Sequence, residues 1–373
     1  MNIQKYLIDY AEKVNPYNPA VSLTYQNNSE HSKTFNFGSM NESGSKVHDN
    51  SLFQIGSLSK SYLAVVVLQL DAEGVLNIEE TVGTYLAEFP FWKDITLKKL
   101  LNMTSGIRSF LDIHERDIPL VFKIIKDNPL HRFTYDDLLN LVKNEPVNIE
   151  NKFHYCSTNY VLLGKIIEKV TKKSLKCLVY ERIIRPLNLK NTFYIEHIAR
   201  KEISHNKLLH LVEGYYIFPE IKNLIFQEGT KVSNYTQSAS IAGGSIISTS
   251  QEVNFYLRAL FSGKLISASQ LYKFLTPIDV KTGKELSNGV NIAHPNGYAL
   301  GIEICYDSRL DENIYFHSGG VLGYTSYMYY FSKSKISFTT FFNICGLSTS
   351  LFANFEQEFP KYVVTALKNA LNS

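Results

Sequence analysis

The interpretation of this chain depends on one stretch, Phe53-Gln54-Ile55-Gly56-Ser57-Leu58-Ser59-Lys60-Ser61-Tyr62. Ser57 and Lys60 lie three residues apart, so a helix that begins at Ser57 presents both side chains on one face. The run at 65–68 is apolar and predicts that this helix is buried. Burial lowers the pKa of a lysine, because desolvation disfavours the charged form. The pattern therefore predicts a serine hydroxyl beside a neutral amine that can accept its proton.

The same four-residue pattern occurs again at Ser332-Lys333-Ser334-Lys335. This second copy falls between two predicted strands and no apolar helix follows it, so we interpret it as a solvated turn. At Ser57 the pattern alone leaves two interpretations open: a nucleophile with its base, or a helix cap followed by a surface lysine. A helix start suits the first, because its backbone N–H groups stabilise a developing oxyanion.

Secondary-structure signals change character twice along the chain. The sequence predicts strands at 20–26, 33–40, 53–55, 298–306, 313–317, 325–331 and 336–343, and helices at 2–14, 58–70, 96–101, 134–143, 158–171, 250–260 and 351–371. We expect an α/β (α+β) fold in which one antiparallel sheet is built from both chain ends and flanked by the two terminal helices. Residues 1–373 then form a single domain, with a sheet lobe at about 1–60 and 290–373 and a mostly helical lobe at about 61–289.

Composition limits the classes of partner. The chain has 373 residues, of which 45% are hydrophobic and 20% charged, and its net charge is +3. So small a charge gives no reason to expect a nucleic acid or an anionic membrane as partner. No apolar run of about 18 residues occurs and residues 1–9 contain no apolar leader, so we expect no membrane span and a cytoplasmic protein. Neither CxxC nor HExxH is present, so we expect no metal and no other cofactor.

Four further segments follow Ser57 along the chain, namely Thr104-Ser105-Gly106, Tyr155-Cys156-Ser157, Ala242-Gly243-Gly244 and His317-Ser318-Gly319-Gly320. Together with the first stretch, they resemble in kind and in order the motifs of the penicillin-recognising serine hydrolases. The resemblance is to the branch that contains class C β-lactamases, D-alanyl-D-alanine carboxypeptidases, D-aminopeptidases and related esterases. It implies a two-lobed serine β-lactamase-like fold and a reaction through a covalent acyl-enzyme.

The resemblance also implies a role for each matching side chain. Ser57 is expected to be the nucleophile, and Lys60 and Tyr155 are expected to transfer protons. His317 is expected to polarise Tyr155 or to hold an anionic group of the substrate. Because nearby cations favour a phenolate, we expect Lys60 and His317 to lower the pKa of Tyr155.

The resemblance assigns the remaining positions to the oxyanion and the substrate. The backbone N–H of Gly320 is expected to join that of Ser57 as the oxyanion hole. Ser318, Gly319 and Ser157 are expected to contact the substrate. Consecutive glycines suit this role, because they let the backbone approach a ligand closely.

One departure from the family pattern bears on the substrate. The family has Tyr-x-Asn where this chain has Tyr155-Cys156-Ser157. Asparagine offers an amide that can donate to an acylamino carbonyl, whereas serine has one short hydroxyl. Asn159 lies on another face of the predicted helix, so we expect weaker recognition of acylamino side chains. We interpret Cys156 as a buried structural thiol and Lys281-Thr282-Gly283, a literal KTG in a polar stretch, as a surface turn.

The expected activity is hydrolysis of an ester or an amide of a small molecule or a peptide. This covers an esterase, a D-amino-acid peptidase or carboxypeptidase, and a β-lactamase-like enzyme. An acyl transferase or peptide cyclase, which passes the acyl group to an amine, is the first alternative. The second is a non-catalytic homologue that only binds, for which Ser157 is the one hint. The oligomeric state has no signal in the sequence.

Overall fold

The computed structural model describes residues 3–28, 31–112, 119–147, 152–195, 205–217, 226–345, 362 and 365. Within them the strands are β1 (Ala20–Gln26), β2 (Lys33–Gly38), β3 (Phe53–Gln54), β4 (Phe193–Tyr194), β5 (Tyr215–Tyr216), β6 (Thr230–Lys231), β7 (Ile246–Ser248), β8 (Ile278–Asp279), β9 (Asn296–Tyr298), β10 (Glu303–Asp307), β11 (Glu312–Val321), β12 (Tyr324–Phe331), β13 (Ser337–Phe342) and β14 (Ile344–Cys345). The α-helices are α1 (Ile3–Val14), α2 (Ser59–Ala72), α3 (Val82–Tyr85), α4 (Leu97–Leu101), α5 (Leu120–Asp127), α6 (Tyr135–Asn140), α7 (Ser157–Thr171), α8 (Leu175–Val179), α9 (His205–Leu208), α10 (Ser250–Phe261) and α11 (Ala268–Leu275).

An eight-stranded antiparallel sheet joins the early and late strands in the order β2-β1-β13-β12-β11-β10-β9-β8. The early strand β1 pairs with the late strand β13, from Val21 opposite Phe342 to Gln26 opposite Ser337. A separate small sheet has the order β3-β7-β4. Strand β3 leads directly to Ser57, so the pairing of β3 with β7 helps to fix the start of the candidate site.

Alternation of side chains along β13 explains why the large sheet is buried on both faces. Phe341 belongs to the larger apolar cluster, whereas Phe342 belongs to a second cluster that includes Ala11 of α1. The ring of Tyr10, also on α1, meets that of Phe342 edge-on with centroids 5.7 Å apart. Helix α10 packs against β1 and β13, and its Val253 belongs to the larger cluster. Helices α1 and α10 thus cover opposite faces of the sheet.

Helix α2 lies at the centre of the helical region. All of its residues from Ser59 to Leu68 are buried. It packs against α7, α8 and α11. A helix without a polar face needs neighbours on every side, and these helices provide them. The buried helix predicted from the apolar run is confirmed.

Most predicted strands match the observed ones to within two residues at each end, and two differ by more. The strand expected at 298–306 is divided into β9 and β10, because Gly301 takes a left-handed conformation with φ +81° and turns the chain. The strand expected at 313–317 continues to Val321. The motif at 317–320 therefore lies within a strand that is paired with β12.

The predicted fold class is confirmed, since helices pack on an antiparallel sheet that is built from early and late strands. Of the helix predicted at 351–371, Tyr362 and Thr365 are described and both are helical. The ring of Tyr362 stacks on that of Tyr6 in α1 at 5.0 Å. The remainder of that prediction lies outside the described residues. The division of residues 1–373 into one domain with two lobes stays a prediction.

Candidate active site

The backbone turn at Gly56 sets the position of Ser57. Residues Gly56–Leu58 form a short 3-10 turn between β3 and α2. Gly56 has φ +49°, and a Cβ added there would lie 2.9 Å from the backbone nitrogen of Gly320. Only glycine allows this approach. The serine turn is therefore pressed directly against the glycine-rich part of β11.

Strands β11 and β12 hold that contact from the other side. A Cβ at Gly319 would collide with the carbonyl oxygen of Ile55 and with Ser326 Oγ. Ser326 Oγ donates a hydrogen bond of 2.7 Å to the same Ile55 carbonyl. These contacts place Gly320 beside Ser57. The two backbone N–H groups that the sequence predicted as an oxyanion hole thus belong to neighbouring segments.

Lys60 lies one helical turn after Ser57 and is buried, with 2% of its surface exposed. Its Nζ lies 3.0 Å from Ser57 Oγ and 3.4 Å from the carbonyl oxygen of Gly243. Burial lowers the pKa of Lys60 to about 7, against a small opposing effect of Cys156. The amine is therefore neutral in a substantial fraction of molecules near pH 7. In that state it can accept the proton of the serine hydroxyl.

Tyr155 lies immediately before α7, with its ring centroid 5.0 Å from Lys60 Nζ. Although 37% of the side chain is exposed, its hydroxyl lies in the buried part of the site. Burial raises the pKa of Tyr155 well above 10, and the nearby Glu303 raises it further. The expectation that Lys60 and His317 lower this pKa is wrong, because the cost of burying a phenolate is larger than any gain from its neighbours. Tyr155 is a neutral phenol at physiological pH.

His317 on β11 is buried, with 1% of its surface exposed. Its Nδ1 lies 2.5 Å from the carbonyl oxygen of Ser318, which can only accept, so Nδ1 carries the proton. Its Nε2 then accepts from the hydroxyl of Tyr298 at 3.2 Å. Burial, with the charge of Lys60 second, lowers the pKa of His317 to about 3. A neutral ring with both nitrogens engaged does not match the expected cation that polarises Tyr155 or holds an anionic group.

An open cleft lies over Ser57, and its lining residues are Ser57, Lys60, Phe110, Leu111, Ser157, Val161, Ala239, Ser240, Ile241, Gly243, Gly244, Gly320 and Val321. The structure thus brings four of the predicted residues, Ser57, Lys60, Ser157 and Gly320, to one cleft. Tyr155 lies beside this group, with its ring centroid 5.0 Å from Lys60 Nζ.

Two predicted contact residues are absent from the lining of this cleft. Gly319 is buried against Ile55, and the Ser318 carbonyl is occupied by His317. Neither Gly319 nor Ser318 lines the cleft. The expectation that they contact the substrate stays a prediction.

Asn159 has a structural role and does not replace the asparagine that the family has at the position of Ser157. It is fully buried in α7. Its Oδ1 accepts from Ser105 Oγ at 2.7 Å, and its Nδ2 donates to the carbonyl of Leu100 at 3.1 Å. Asn159 therefore ties the Thr-Ser-Gly turn to the helix that begins at Ser157, which agrees with its predicted place on another face.

Two participants were not found from the sequence. The hydroxyl of Tyr298 fixes the tautomer of His317, and the Gly243 carbonyl contacts Lys60. The resemblance included the segment Ala242-Gly243-Gly244, but it did not predict that the carbonyl of Gly243 contacts Lys60. The sequence around Tyr298 gives no indication of its role. Tyr298 lies on β9 and its partner His317 on β11, so the contact forms only when β9, β10 and β11 assemble.

Other predicted features have structural roles. The KTG copy forms a turn after β8, in which the N–H groups of Lys281 and Thr282 donate to Asp279 Oδ1 at 2.7 and 3.0 Å. It lines a second cavity that shares no residue with the Ser57 cleft. Cys156 is buried, and burial raises the pKa of its thiol to about 12. Within the described ranges, no cluster of three metal-ligating side chains occurs.

Comparison with known proteins identifies the family. Residues 20–356 match the family described as Beta-lactamase. The chain belongs to this family. Membership confirms the predicted superfamily and the predicted enzyme class, a serine hydrolase of the β-lactamase and penicillin-binding-protein type.

Curated relatives are similar over part of their length. The chain is 25% identical over 286 residues to "Penicillin-binding protein 4*" of Bacillus subtilis (strain 168), which covers 75% of this chain and 58% of that protein. It is 26% identical over 238 residues to "Teichoic acid D-alanine hydrolase" of Staphylococcus aureus, which covers 63% of this chain and 50% of that protein. The chain therefore spans about half the length of the curated relatives it matches.

A solved structure agrees with the fold over nearly the whole chain. The D-amino acid amidase from Ochrobactrum anthropi SV3, in complex with D-phenylalanine, superposes with a TM-score of 0.78 at 20% identity, covering 99% of this chain and 98% of that one. At this identity the likeness establishes the fold alone. Among the helices of the described residues, none has the length and apolar character needed to cross a bilayer.

Proposed function

We propose that this protein hydrolyses an ester or an amide through an acyl-enzyme on Ser57. The observation that carries the proposal is the position of Lys60, whose Nζ lies 3.0 Å from Ser57 Oγ in a buried site. A serine hydroxyl needs such a base to become a nucleophile at neutral pH. Burial lowers the pKa of Lys60 to about 7, close to the value at which a general base works best there.

In the proposed acylation step, Ser57 Oγ attacks the carbonyl carbon while its proton passes to the neutral amine of Lys60. The negative charge that develops on the carbonyl oxygen is stabilised by the N–H groups of Ser57 and Gly320. When the tetrahedral intermediate collapses, the leaving group takes a proton from Lys60, relayed by the hydroxyl of Tyr155. In deacylation, water attacks the ester while the proton path runs in reverse.

The raised pKa of Tyr155 restricts its part in this mechanism. A phenol with a pKa well above 10 does not act as a phenolate base at neutral pH. Its hydroxyl can still accept one proton as it gives up another, because Ser57 is near enough to influence its pKa and its ring centroid lies 5.0 Å from Lys60 Nζ. We therefore assign Tyr155 a relay role and Lys60 the role of base.

The test of this proposal is a fluorophosphonate probe read out by intact-mass analysis. We expect one adduct on the wild-type chain, located on Ser57 by peptide mapping, and none on Ser57→Ala. The Ser332→Ala variant is the matched control and should be labelled like wild type. Absence of an adduct on wild type, or an equal adduct on Ser57→Ala, would contradict the proposal.

Ser157 directs the proposal towards esters and simple amides. It lines the cleft at the first position of α7, where the family asparagine would offer an amide donor. We expect short-chain p-nitrophenyl esters to be turned over faster than a chromogenic cephalosporin. The variant Ser157→Asn should raise cephalosporin acylation relative to ester turnover. Faster cephalosporin hydrolysis by wild type would show that Ser157 does not limit this recognition.

A further inference from the structure

We propose that the cleft selects substrates that carry no carboxylate next to the scissile bond and have an apolar acyl group. This inference rests on the proposed acyl-enzyme at Ser57 and names the substrate class of the same site. It separates the protein from enzymes that act on a peptide C-terminus or on a carboxylated β-lactam. The charges and the walls of the cleft carry the inference.

Within the described part of the chain, Lys60 is the only charged side chain that lines the cleft. Its Nζ is engaged by Ser57 Oγ and the Gly243 carbonyl, and in the proposed mechanism it is neutral when substrate binds. Lys60 is therefore not available as a counter-ion. A carboxylate held in the cleft would find no cationic partner among the lining residues that the structure describes.

Two basic side chains that lie close to the cleft lining along the chain have acidic partners. Arg108, two residues before Phe110 of the wall, pairs with Glu145 at 3.4 Å. His154, beside Tyr155, contacts Asp112 at 3.1 Å. These contacts hold both side chains in the structure around the cleft rather than within it.

His317 is also unable to supply a positive charge. The ring is buried, and its nitrogens are occupied by the Ser318 carbonyl and the Tyr298 hydroxyl. An anionic substrate group therefore gains no cationic partner from this ring.

The cleft walls are mostly apolar, formed by Phe110, Leu111, Val161, Ile241 and Val321. The Phe110 side is fixed in place, since its N–H donates to Thr158 Oγ1 at 3.2 Å. Apolar walls favour an apolar acyl group. They also make an unpaired carboxylate costly to desolvate, which is a recognised way to reject a ligand.

Matched pairs of esters test the inference on the wild-type protein. On the acyl side, the mono-p-nitrophenyl ester of glutaric acid is compared with its methyl ester. On the leaving-group side, 3-carboxyphenyl butyrate is compared with 3-carbamoylphenyl butyrate. Each kcat/KM value is divided by the rate at which hydroxide hydrolyses the same ester. We expect this normalised value to be at least about tenfold lower for each acid than for its neutral partner. Equal or higher values for the acids would overturn the inference.

A charge placed in the wall provides the second test. Val321 follows Gly320 and lines the cleft, so Val321→Lys offers the missing cation and Val321→Gln is the uncharged control. We expect Val321→Lys, and not Val321→Gln, to raise the acid-to-neutral ratio of kcat/KM by roughly fivefold or more. An unchanged ratio in a variant that still turns over neutral esters would count against the inference.

The fluorophosphonate probe separates the two proposals. If Ser57 is labelled and the acids react as fast as their neutral partners, only the substrate class is wrong. If Ser57 is not labelled in wild type, the acyl-enzyme itself is wrong, whatever the ester ratios are.

Discussion

Two segments of this chain share the pattern SxxK, and only one has surroundings suited to chemistry. At the first, Lys60 is buried and its Nζ lies 3.0 Å from Ser57 Oγ. At the second, residues 332–335 form the turn between β12 and β13. Lys335 is exposed there and has a left-handed backbone with φ +55°. A residue with a left-handed backbone cannot continue a right-handed helix, so Ser332 and Lys335 are not aligned on one helical face.

Hydrogen bonds at the second copy serve the fold. The buried Glu312 accepts from the N–H groups of Lys333 and Ser334, each at 3.0 Å. Lys333 Nζ also pairs with Asp311 at 2.6 Å. The comparison teaches that the letters of a motif do not determine its chemistry. A helix start that aligns the two side chains, and neighbours that bury the lysine, produce a base at the first copy.

The largest expected difference between the copies is in turnover. Ser57→Ala should lower kcat for a neutral p-nitrophenyl ester by roughly 10⁴-fold or more, because the nucleophile is lost. Ser332→Ala should leave kcat within about twofold of wild type, since surface substitutions away from the site rarely perturb it. Steady-state kinetics on the two variants checks both values. A large loss in Ser332→Ala would mean that the turn copy has a function that its geometry does not suggest.

Replacing the two lysines should give a smaller but still large contrast. Lys60→Met keeps the volume and removes the base, and we expect kcat/KM to fall by about 10²–10⁴-fold. Lys335→Met removes an exposed charge and should have little effect. Circular dichroism and thermal unfolding of both variants show whether a loss of activity comes from misfolding. A Lys60→Met enzyme with near-wild-type kcat/KM would exclude Lys60 as the base.

The pH dependence sharpens the comparison further. Burial lowers the pKa of Lys60 to about 7, so its amine is protonated below that pH and neutral above it. Only the neutral form accepts the Ser57 proton, so kcat/KM should rise with pH, about tenfold per unit below pH 7, and level off above it. Lys335→Met should retain this profile. A profile for wild type that is flat between pH 5.5 and 8.5 would contradict the assignment.

The smallest expected effect concerns stability alone. Glu312→Gln removes the carboxylate that organises the turn copy, and we expect a loss of about 1.5–3 kcal/mol in the free energy of unfolding. The expected kcat at saturating ester is unchanged, because the turn lies outside the cleft. Urea denaturation and steady-state kinetics on the same sample measure the two quantities. A fall in kcat without a fall in stability would connect the turn to the site.

Local patterns predicted those features that depend on one segment. The apolar run after Lys60 predicted a buried helix, and alternation predicted β1 with its observed bounds, Ala20–Gln26. The bounds of strands that are interrupted by a bend at a single residue were predicted less well. The division between β9 and β10 depends on the positive φ of Gly301, where a Cβ would lie 2.7 Å from the Tyr160 hydroxyl. That crowding involves a residue far away in the sequence.

The electrostatic state of the site could not be predicted, because it depends on several segments at once. His317 is neutral since Tyr298 and Ser318 occupy its nitrogens in a buried space. Tyr155 has a raised pKa since folding removes its hydroxyl from water. Residue types alone suggested two cations next to a tyrosine. Only the assembled strands show that one of these groups carries no charge.

The contact between the serine turn and β11 has a consequence for how activity develops during synthesis. Ser326 Oγ reaches the Ile55 carbonyl across 271 residues of chain. A ribosome-bound chain that ends before β11 already contains Ser57 and Lys60, but not the strand that supplies the Gly320 N–H. In the proposed mechanism such a chain holds a serine and its base without a complete oxyanion hole. Acylation by a reactive probe would thus report the moment at which the last strands join the first.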